Sequence, residues 1–371
     1  MSHFFYQDKP IETPALILNE QKMKQNLKRV MGVQEKNNVK VRPHFKTHKS
    51  ISIAKLQLTM GACGITVATV TEGELLLENG IDDILVAFPL TDSNKIKRLF
   101  KWTKIARVIF TVDSMEQSEL MMNEAKKWGL NPEVWIKVNS GLNRCGVEPN
   151  NEVLELAKFI KKENVLNLTG IYTHAGHSYA AKTKEEIRQI AKEEALSVLN
   201  SVDLCEKEGI SLPNRSVGST PTFEAAATYS GITEVRPGNA VFFDAIQVGL
   251  GVAKADEVAL TVLSTVVSRK SNRLIIDAGS KALTTEKGAH GNEVVKGYGR
   301  SLVDGEFFIT RVSEEHGIID STEINNIQLN EKLQIIPNHA CPVVNLYDFY
   351  YVQRENGQIE RWLVDGRGKS Q

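Results

Sequence analysis

Two short stretches of the chain carry residue types that could do chemistry. The first is Arg42-Pro43-His44-Phe45-Lys46-Thr47-His48-Lys49. It follows an apolar alternation, Val39 to Val41, that reads as a strand. A lysine at a strand end among Arg42, His44, His48 and Lys49 is crowded by cations, which disfavour the ammonium and lower its pKa. The neutral amine so favoured attacks carbonyls and forms Schiff bases. A solvated basic turn accounts for the same residues, because charged turns are common. The second stretch is Pro337-Asn338-His339-Ala340-Cys341-Pro342. Read as an extended strand, it points positions i and i+2 the same way, so one ion could take both His339 and Cys341. The flanking prolines stiffen it. Imidazole with thiolate is a soft pair that suits zinc better than magnesium or manganese, and two protein ligands leave positions open for substrate and water.

Three further segments offer binding groups. Val217-Gly218-Ser219-Thr220-Pro221-Thr222 and Gly238-Asn239 are small-residue turns whose N–H and O–H groups could hold an anion. Segment 139–147 is a glycine-flanked turn that contains Arg144, which reads as buried. In 170–179, Tyr172 and His174 alternate onto one face, and Tyr179 follows. Packed barrel residues account for these aromatics equally well, and His177 has no assigned role.

The elements that must position these groups alternate between strand and helix. Strand candidates end at Lys46, Thr69, Pro89, Val112, Asn139, Ala175, Ser219 and Gly238. Helical patterns separate most of them, including 114–128, 151–163 and 182–208; the last opens at Thr183 with Glu186 in capping-box spacing. Eight such units predict an α/β fold, a (β/α)8 barrel, in preference to an open doubly wound sheet. Lys46 and the anion turns then lie at C-terminal strand ends, where barrels keep their chemistry. The loops after strands seven and eight are where barrels often bind phosphate. From about residue 250 the pattern changes to β-branched runs, Val258 to Val267 among them, punctuated by glycines from Gly279 to Gly305. The expected division is a barrel over 14–250 and a mostly β domain over 251–371, joined by 1–13.

The chain has 371 residues, 42% hydrophobic and 24% charged, with a formal net charge of zero, which fits a soluble two-domain protein and argues against nucleic-acid or acidic-membrane partners. No apolar run approaches the roughly 18 residues of a membrane span. The first residues lack a basic region followed by an apolar core, so no secretory signal is expected. Cys63, Cys145, Cys205 and Cys341 show no paired spacing, as in a cytoplasmic protein with reduced thiols.

The Arg-Pro-His-Phe-Lys-Thr-His-Lys motif, with matches at intervals from Thr13 to Arg367, resembles the D-threonine aldolase and D-serine dehydratase family. These are metal-activated pyridoxal 5'-phosphate enzymes with the alanine racemase-like fold. The resemblance implies that Lys46 carries the cofactor as a Schiff base and acts as the catalytic base. It implies that Gly218, Ser219, Thr220, Gly238 and Asn239 hold the phosphate, and that His174 lies against the ring with Tyr172 and Tyr179 reaching cofactor or substrate. It sets Arg144 against the pyridine nitrogen, with Arg236 as the other candidate. An arginine only donates, so that nitrogen stays unprotonated and the ring is a weaker electron sink. A metal ion would then help to expel the leaving group. The resemblance implies zinc on His339 and Cys341; the aldolase branch has aspartate where this chain has Cys341, and the D-serine dehydratase branch has cysteine. The function implied is a lyase of β-hydroxy D-amino acids, foremost a D-serine dehydratase giving pyruvate and ammonia, acting as a homodimer. The alternatives are aldolase cleavage to glycine and an aldehyde, an amino-acid racemase with Tyr298 or Tyr347 as second base, and a non-catalytic cofactor carrier.

Overall fold

The computed structural model describes residues 4–302, 307–321 and 326–371; Gly305 lies outside them. Eight parallel strands form the first body: Lys40–Val41, Ile65–Val67, Asp83–Pro89, Arg107–Val112, Glu133–Val138, Asn167–Thr173, Asn214–Val217 and Glu234–Val235. Each ends at or shortly before one of the eight strand ends read from the sequence. The last strand pairs with the first through Val235 and Val41. The first and second are joined by Cys63 N–H to Val41 O (2.9 Å), Thr66 N–H to Pro43 O (2.8 Å) and a bridge between His44 and Thr66. These bonds close the sheet into a ring, so the strands form a barrel and not an open sheet.

Central segments such as Ile84–Leu85–Val86 and Val108–Ile109–Phe110 are buried on both faces, one side toward the barrel axis and the other toward the helices. Leu85, Ile109, Trp135 and Tyr172 pack together inside the ring. The surrounding helices begin and end as their sequences dictate. Met115–Trp128 starts where the Ser114 side chain accepts from Gln117 N–H and stops at Gly129, whose φ of 60° only glycine adopts cheaply. Lys184–Lys207 is capped by Thr183, which accepts from Glu186 N–H (3.1 Å). Glu186 reaches back to Lys182 N–H, one residue before the cap.

The second body is a nine-stranded, mainly antiparallel sheet. Its centre is Leu260–Lys270, flanked by Ala15–Asn19, Arg273–Ile276 and Lys332–Ile336. Ala15–Asn19, counted with the barrel in the 14–250 division, thus belongs to this sheet, and the barrel's first strand is Lys40–Val41. Leu16 and Leu18 pack there with Val262, Ile335 and Val352.

The two bodies meet at the lysine turn. Tyr350 O–H donates to His48 O. Gly366 N–H donates to Lys49 O (2.8 Å), Lys49 Nζ to Gly366 O (3.1 Å), and Ile51 N–H to Asp365 Oδ2 (2.8 Å). The short helix Ala340–Val344 packs on the 3-10 turn Phe45–Thr47, which brings Cys341 to Lys46.

Candidate active site

A cavity of about 750 Å³ opens at the C-terminal ends of the barrel strands, and its lining includes Lys46, Tyr172, His174, Tyr179, His339 and Cys341. Lys46 stands on the Phe45–Thr47 turn, whose start is capped by His44 Nδ1 accepting Lys46 N–H (3.3 Å). Burial lowers the Lys46 pKa; Cys341 opposes this, and Arg144 and Lys137 add to it, for a net lowering. The direction agrees with the sequence reading, but most of the expected neighbours do not supply it. Arg42 is paired with Glu234 (3.0 Å) and Asp83, and Lys49 with Glu72 (2.9 Å). His48 is hydrogen-bonded to Gln57 (3.2 Å), and burial pushes its pKa down to about 3. Strand alternation and the turn send these side chains away from Lys46 into partners of their own.

The two anion turns converge in the cavity. Gly218 has φ +124°, and a Cβ there would lie 3.0 Å from Arg236 N, so the position needs glycine. A Cβ on Gly238 would meet Thr47 Oγ1 at 3.0 Å. The amides are not all available. Gly218 N–H donates to Glu194 Oε1 (2.8 Å) and Ser219 N–H to Thr222 Oγ1 (3.2 Å). Ser219 Oγ is shared with Ser178 (2.8 Å) and Thr222 (3.0 Å). The N–H groups of Gly238 and Asn239 donate to no protein acceptor among the described residues, and Thr220 N–H meets only the Tyr179 hydroxyl. Thr220 and Asn239 are buried, and Tyr179 O–H faces Thr220. Uncommitted donors at Gly238 and Asn239, beside Thr220 on the adjoining turn, fit a phosphate group, with Gly218 and Ser219 shaping the turn instead of donating their amides.

His174 Nδ1–H donates to Gly218 O (3.1 Å), which leaves Nε2 as the acceptor. Burial and the neighbouring Lys46 hold this imidazole neutral, its pKa well below the usual value. Tyr172 lies deeper, its hydroxyl 2.6 Å from Thr111 Oγ1 and its ring 4.7 Å below the Arg236 guanidinium. Of Arg144 and Arg236, Arg236 is the buried one, donating to Ser216 Oγ and Thr173 O. Arg144, expected to be buried, is exposed on its loop at the cavity mouth. That loop is folded by Asn139, whose Oδ1 accepts from Gly141 (3.2 Å) and Asn143 (3.0 Å), and this local network leaves the arginine outside the core. His177 is half-buried beside Gly141 and does not line the cavity; neither do Tyr298 and Tyr347.

His339 and Cys341 come together, though not on a strand. His339 is the extended residue that precedes Ala340–Val344, and Cys341 is in its first turn. Helix formation after residue 339 replaces the i, i+2 alternation, and the two side chains are hydrogen-bonded to each other. Burial disfavours charge on both. The attraction between imidazolium and thiolate overcomes it, raising His339 well above its usual pKa and lowering Cys341. His339 Nδ1–H donates to Glu286 Oε1 (3.0 Å), and Cys341 Sγ lies 3.2 Å from Thr47 Oγ1. Among the described residues no group of three or more His, Cys, Asp or Glu side chains forms a metal cluster. An ion here would rest on this pair, with Glu286 orienting the imidazole from behind.

Several groups escaped the sequence reading. Thr47 lies within the motif, beside Lys46, and links it to Cys341. Glu286, His290 and Lys137 carry no local pattern. Glu194 did leave a trace, because it falls on the apolar stripe Ile187, Ala191, Ala195, Val198 at helical spacing and is fully buried.

Residues 18–245 match the alanine racemase N-terminal domain family, and 259–353 match a putative serine dehydratase domain. The chain is 31% identical over 367 residues to D-threo-3-hydroxyaspartate dehydratase of Delftia sp. (strain HT23), covering 95% of this chain and 97% of that one. It is 30% identical over 382 residues to D-serine dehydratase of Dictyostelium discoideum (94% and 95%). It is 27% identical over 369 residues to D-threonine aldolase of Arthrobacter sp. (97% and 94%). The solved structure of the Delftia dehydratase superposes with a TM-score of 0.89 at 30% identity, covering 95% of this chain and 97% of that chain. Alanine variants of a histidine and of a cysteine two positions further on have been solved for that enzyme, the latter in a metal-free form.

Proposed function

We propose, for a chain that belongs to the D-threonine aldolase and D-serine dehydratase family, that it is a pyridoxal-phosphate-dependent lyase of β-hydroxy D-amino acids and, within that class, a zinc-activated dehydratase of the D-serine type. The observation that carries the reading is one juxtaposition. The Lys46 amine, with its pKa lowered, shares a cavity with the His339–Cys341 pair, and Thr47 touches Cys341 directly.

The residues present fit the cofactor. Lys46 is the amine for its aldehyde, and the free amides of Gly238 and Asn239, beside Thr220, suit its phosphate. Arg236, buried beside Tyr172, is better placed than Arg144 for the ring nitrogen, since a guanidinium shielded from water donates with full effect. Pyridoxal phosphate, when bound, supplies an electron sink that acidifies the Cα–H of an attached amino acid. Lys46 then takes the Cα proton at Nζ as general base, a role that its lowered pKa favours. His174 stays neutral and adds no competing cation beside that amine. His339 and Cys341 would hold a divalent ion whose Lewis acidity assists departure of the β-hydroxyl. Thiolate in the pair supports zinc as that ion, and the metal-free cysteine variant of the Delftia enzyme supports a metal at the corresponding place. Loss of the Cα proton and the β-hydroxyl from D-serine releases an enamine that water converts to pyruvate and ammonia. The cysteine also favours dehydration over the aldolase reading, whose branch carries aspartate there.

Incubating the protein with pyridoxal phosphate and D-serine or D-threo-3-hydroxyaspartate tests this. The expected product is a keto acid with ammonia, lost on chelation and restored best by zinc. Glycine with an aldehyde in place of the keto acid would identify an aldolase, and keto acid at full rate from verified metal-free protein would refute the Lewis-acid role.

A further inference from the structure

Glu194 is a carboxylate with no exposure, on the inner face of Lys184–Lys207, directly behind the turn read as the phosphate site. An acid behind an anion site is an unfavourable choice, and burying it is costly unless its oxygens are bonded. They are. Oε1 accepts from Gly218 N–H (2.8 Å) and from Ala175 N–H (3.1 Å). Oε2 accepts from Thr222 Oγ1–H (2.7 Å). Thr222 Oγ1 in turn accepts from Ser219 N–H (3.2 Å).

Three consequences follow from this wiring. The end of strand six, just after His174, and the turn after strand seven are held by one side chain. The amides of Gly218 and Ser219 are consumed, which leaves Thr220, a cavity residue whose N–H meets the Tyr179 hydroxyl, as the amide of that turn beside the cofactor. Gly218 is pinned where its carbonyl receives His174 Nδ1–H (3.1 Å), so the histidine tautomer is set by the same unit. Glu194 itself does not line the cavity, whereas Gly218, Ser219 and His174, which it positions, do.

We infer that Glu194 is a positioning residue that shapes the phosphate turn, selecting which of its amides face the cofactor and locking His174 beside them; this rests on the proposed function. Its signature is selective. Loss of Glu194 impairs recognition of the phosphate more than recognition of the ring, to which only His174 among the groups it positions contributes.

The test is a fluorescence titration of the apoprotein with pyridoxamine 5'-phosphate and with pyridoxamine, neither of which can react with Lys46. The wild type is expected to prefer the phosphorylated compound. Glu194→Ala leaves two buried amides without an acceptor, so the preference should fall about tenfold or more, with pyridoxamine affinity falling much less than that of the phosphorylated compound. Glu194→Gln keeps Oε1 as an acceptor for both amides and should retain the preference. Thr222→Val, nearly the same size, removes only the Oε2 branch and should lose part of it, which keeps the inference testable if Glu194→Ala does not fold. Equal weakening of both compounds in folded Glu194→Ala or Thr222→Val, or an unchanged preference in both, overturns the inference. A wild type with no preference for the phosphorylated compound overturns the phosphate site itself, and the inference with it.

Discussion

Arg42 stands four residues before Lys46, and replacing it separates two accounts of the motif. In the structure its guanidinium is 1% exposed, bonded to Glu234 Oε2 (3.0 Å) and Asp83 Oδ1 (2.5 Å). Glu234 is equally buried and also accepts from Ser216 Oγ (2.7 Å). Arg42→Met keeps much of the volume and strands the Glu234 carboxylate. Breaking a buried pair in this way costs about 3–5 kcal/mol. An unfolding entropy of about 2.1 cal/mol/K per residue across 371 residues converts that to a fall of about 4–6 °C in Tm at pH 7. Burial alone would raise the Glu234 pKa, but Arg42 and Ser216 more than offset it and hold it below the usual value. A depressed carboxylate stabilises the fold above its unfolded pKa, and that stability is lost as pH falls through the folded one. In the variant the stranded carboxylate titrates higher, so the deficit should be largest near neutrality and shrink on acidification. Differential scanning calorimetry of both proteins from pH 5 to pH 8 reads this directly. If Arg42→Met leaves Tm unchanged but raises the pH at which Lys46 loses its proton, the pairing account is wrong and Arg42 acts on the lysine by charge.

Other consequences are open to simpler tests. Gly218→Ala forces a Cβ against Arg236 N at a left-handed φ, at a cost of about 1–3 kcal/mol; bound pyridoxal phosphate should dialyse away faster, and unchanged retention would contradict the geometry. Arg236→Gln should alter the absorbance of the bound cofactor, whereas Arg144→Gln at the cavity mouth should leave it unchanged; the reverse result would return the ring nitrogen to Arg144. Cys341→Asp should shift metal preference from zinc towards manganese and raise the ratio of aldehyde to keto acid, as measured on metal-reconstituted protein; zinc preference and product ratio both unmoved would reduce Cys341 to a packed thiol.

Much of this architecture was legible in the sequence because the signals were local. Apolar runs bounded by turns marked all eight barrel strands, and Thr183 with Glu186 marked the start of the long helix. The misreadings came where tertiary contacts override local pattern. Ala15–Asn19 looks like any first strand of an alternating series, yet its partners lie far away in sequence, in Leu260–Lys270 and Phe349–Gln353. The His339–Cys341 segment carries prolines and no helical stripe, but its backbone turns into a helix against the lysine turn. Arg42 and Lys49 were read as charges acting on Lys46 because their acids, Glu234 and Glu72, are distant in sequence. Arg144 was read as buried and Arg236 left as the alternative, because a turn's composition does not reveal which guanidinium the barrel encloses. Glu194 also escaped the sequence reading, although its place on the apolar stripe of Lys184–Lys207 carries the signal of its burial.

The central claim is that Lys46 is the amine that holds pyridoxal phosphate. The cavity also exposes Lys137, whose ammonium lies 5.8 Å from the centre of the Tyr172 ring, so a lysine at the right site is not enough; it must be this one. Borohydride reduction of the protein loaded with pyridoxal phosphate, followed by peptide mass spectrometry, decides the matter. The account predicts a single phosphopyridoxyl adduct on Lys46, absent from Lys46→Ala. An adduct on Lys137 or Lys49, or no stable adduct with the wild type, would contradict it.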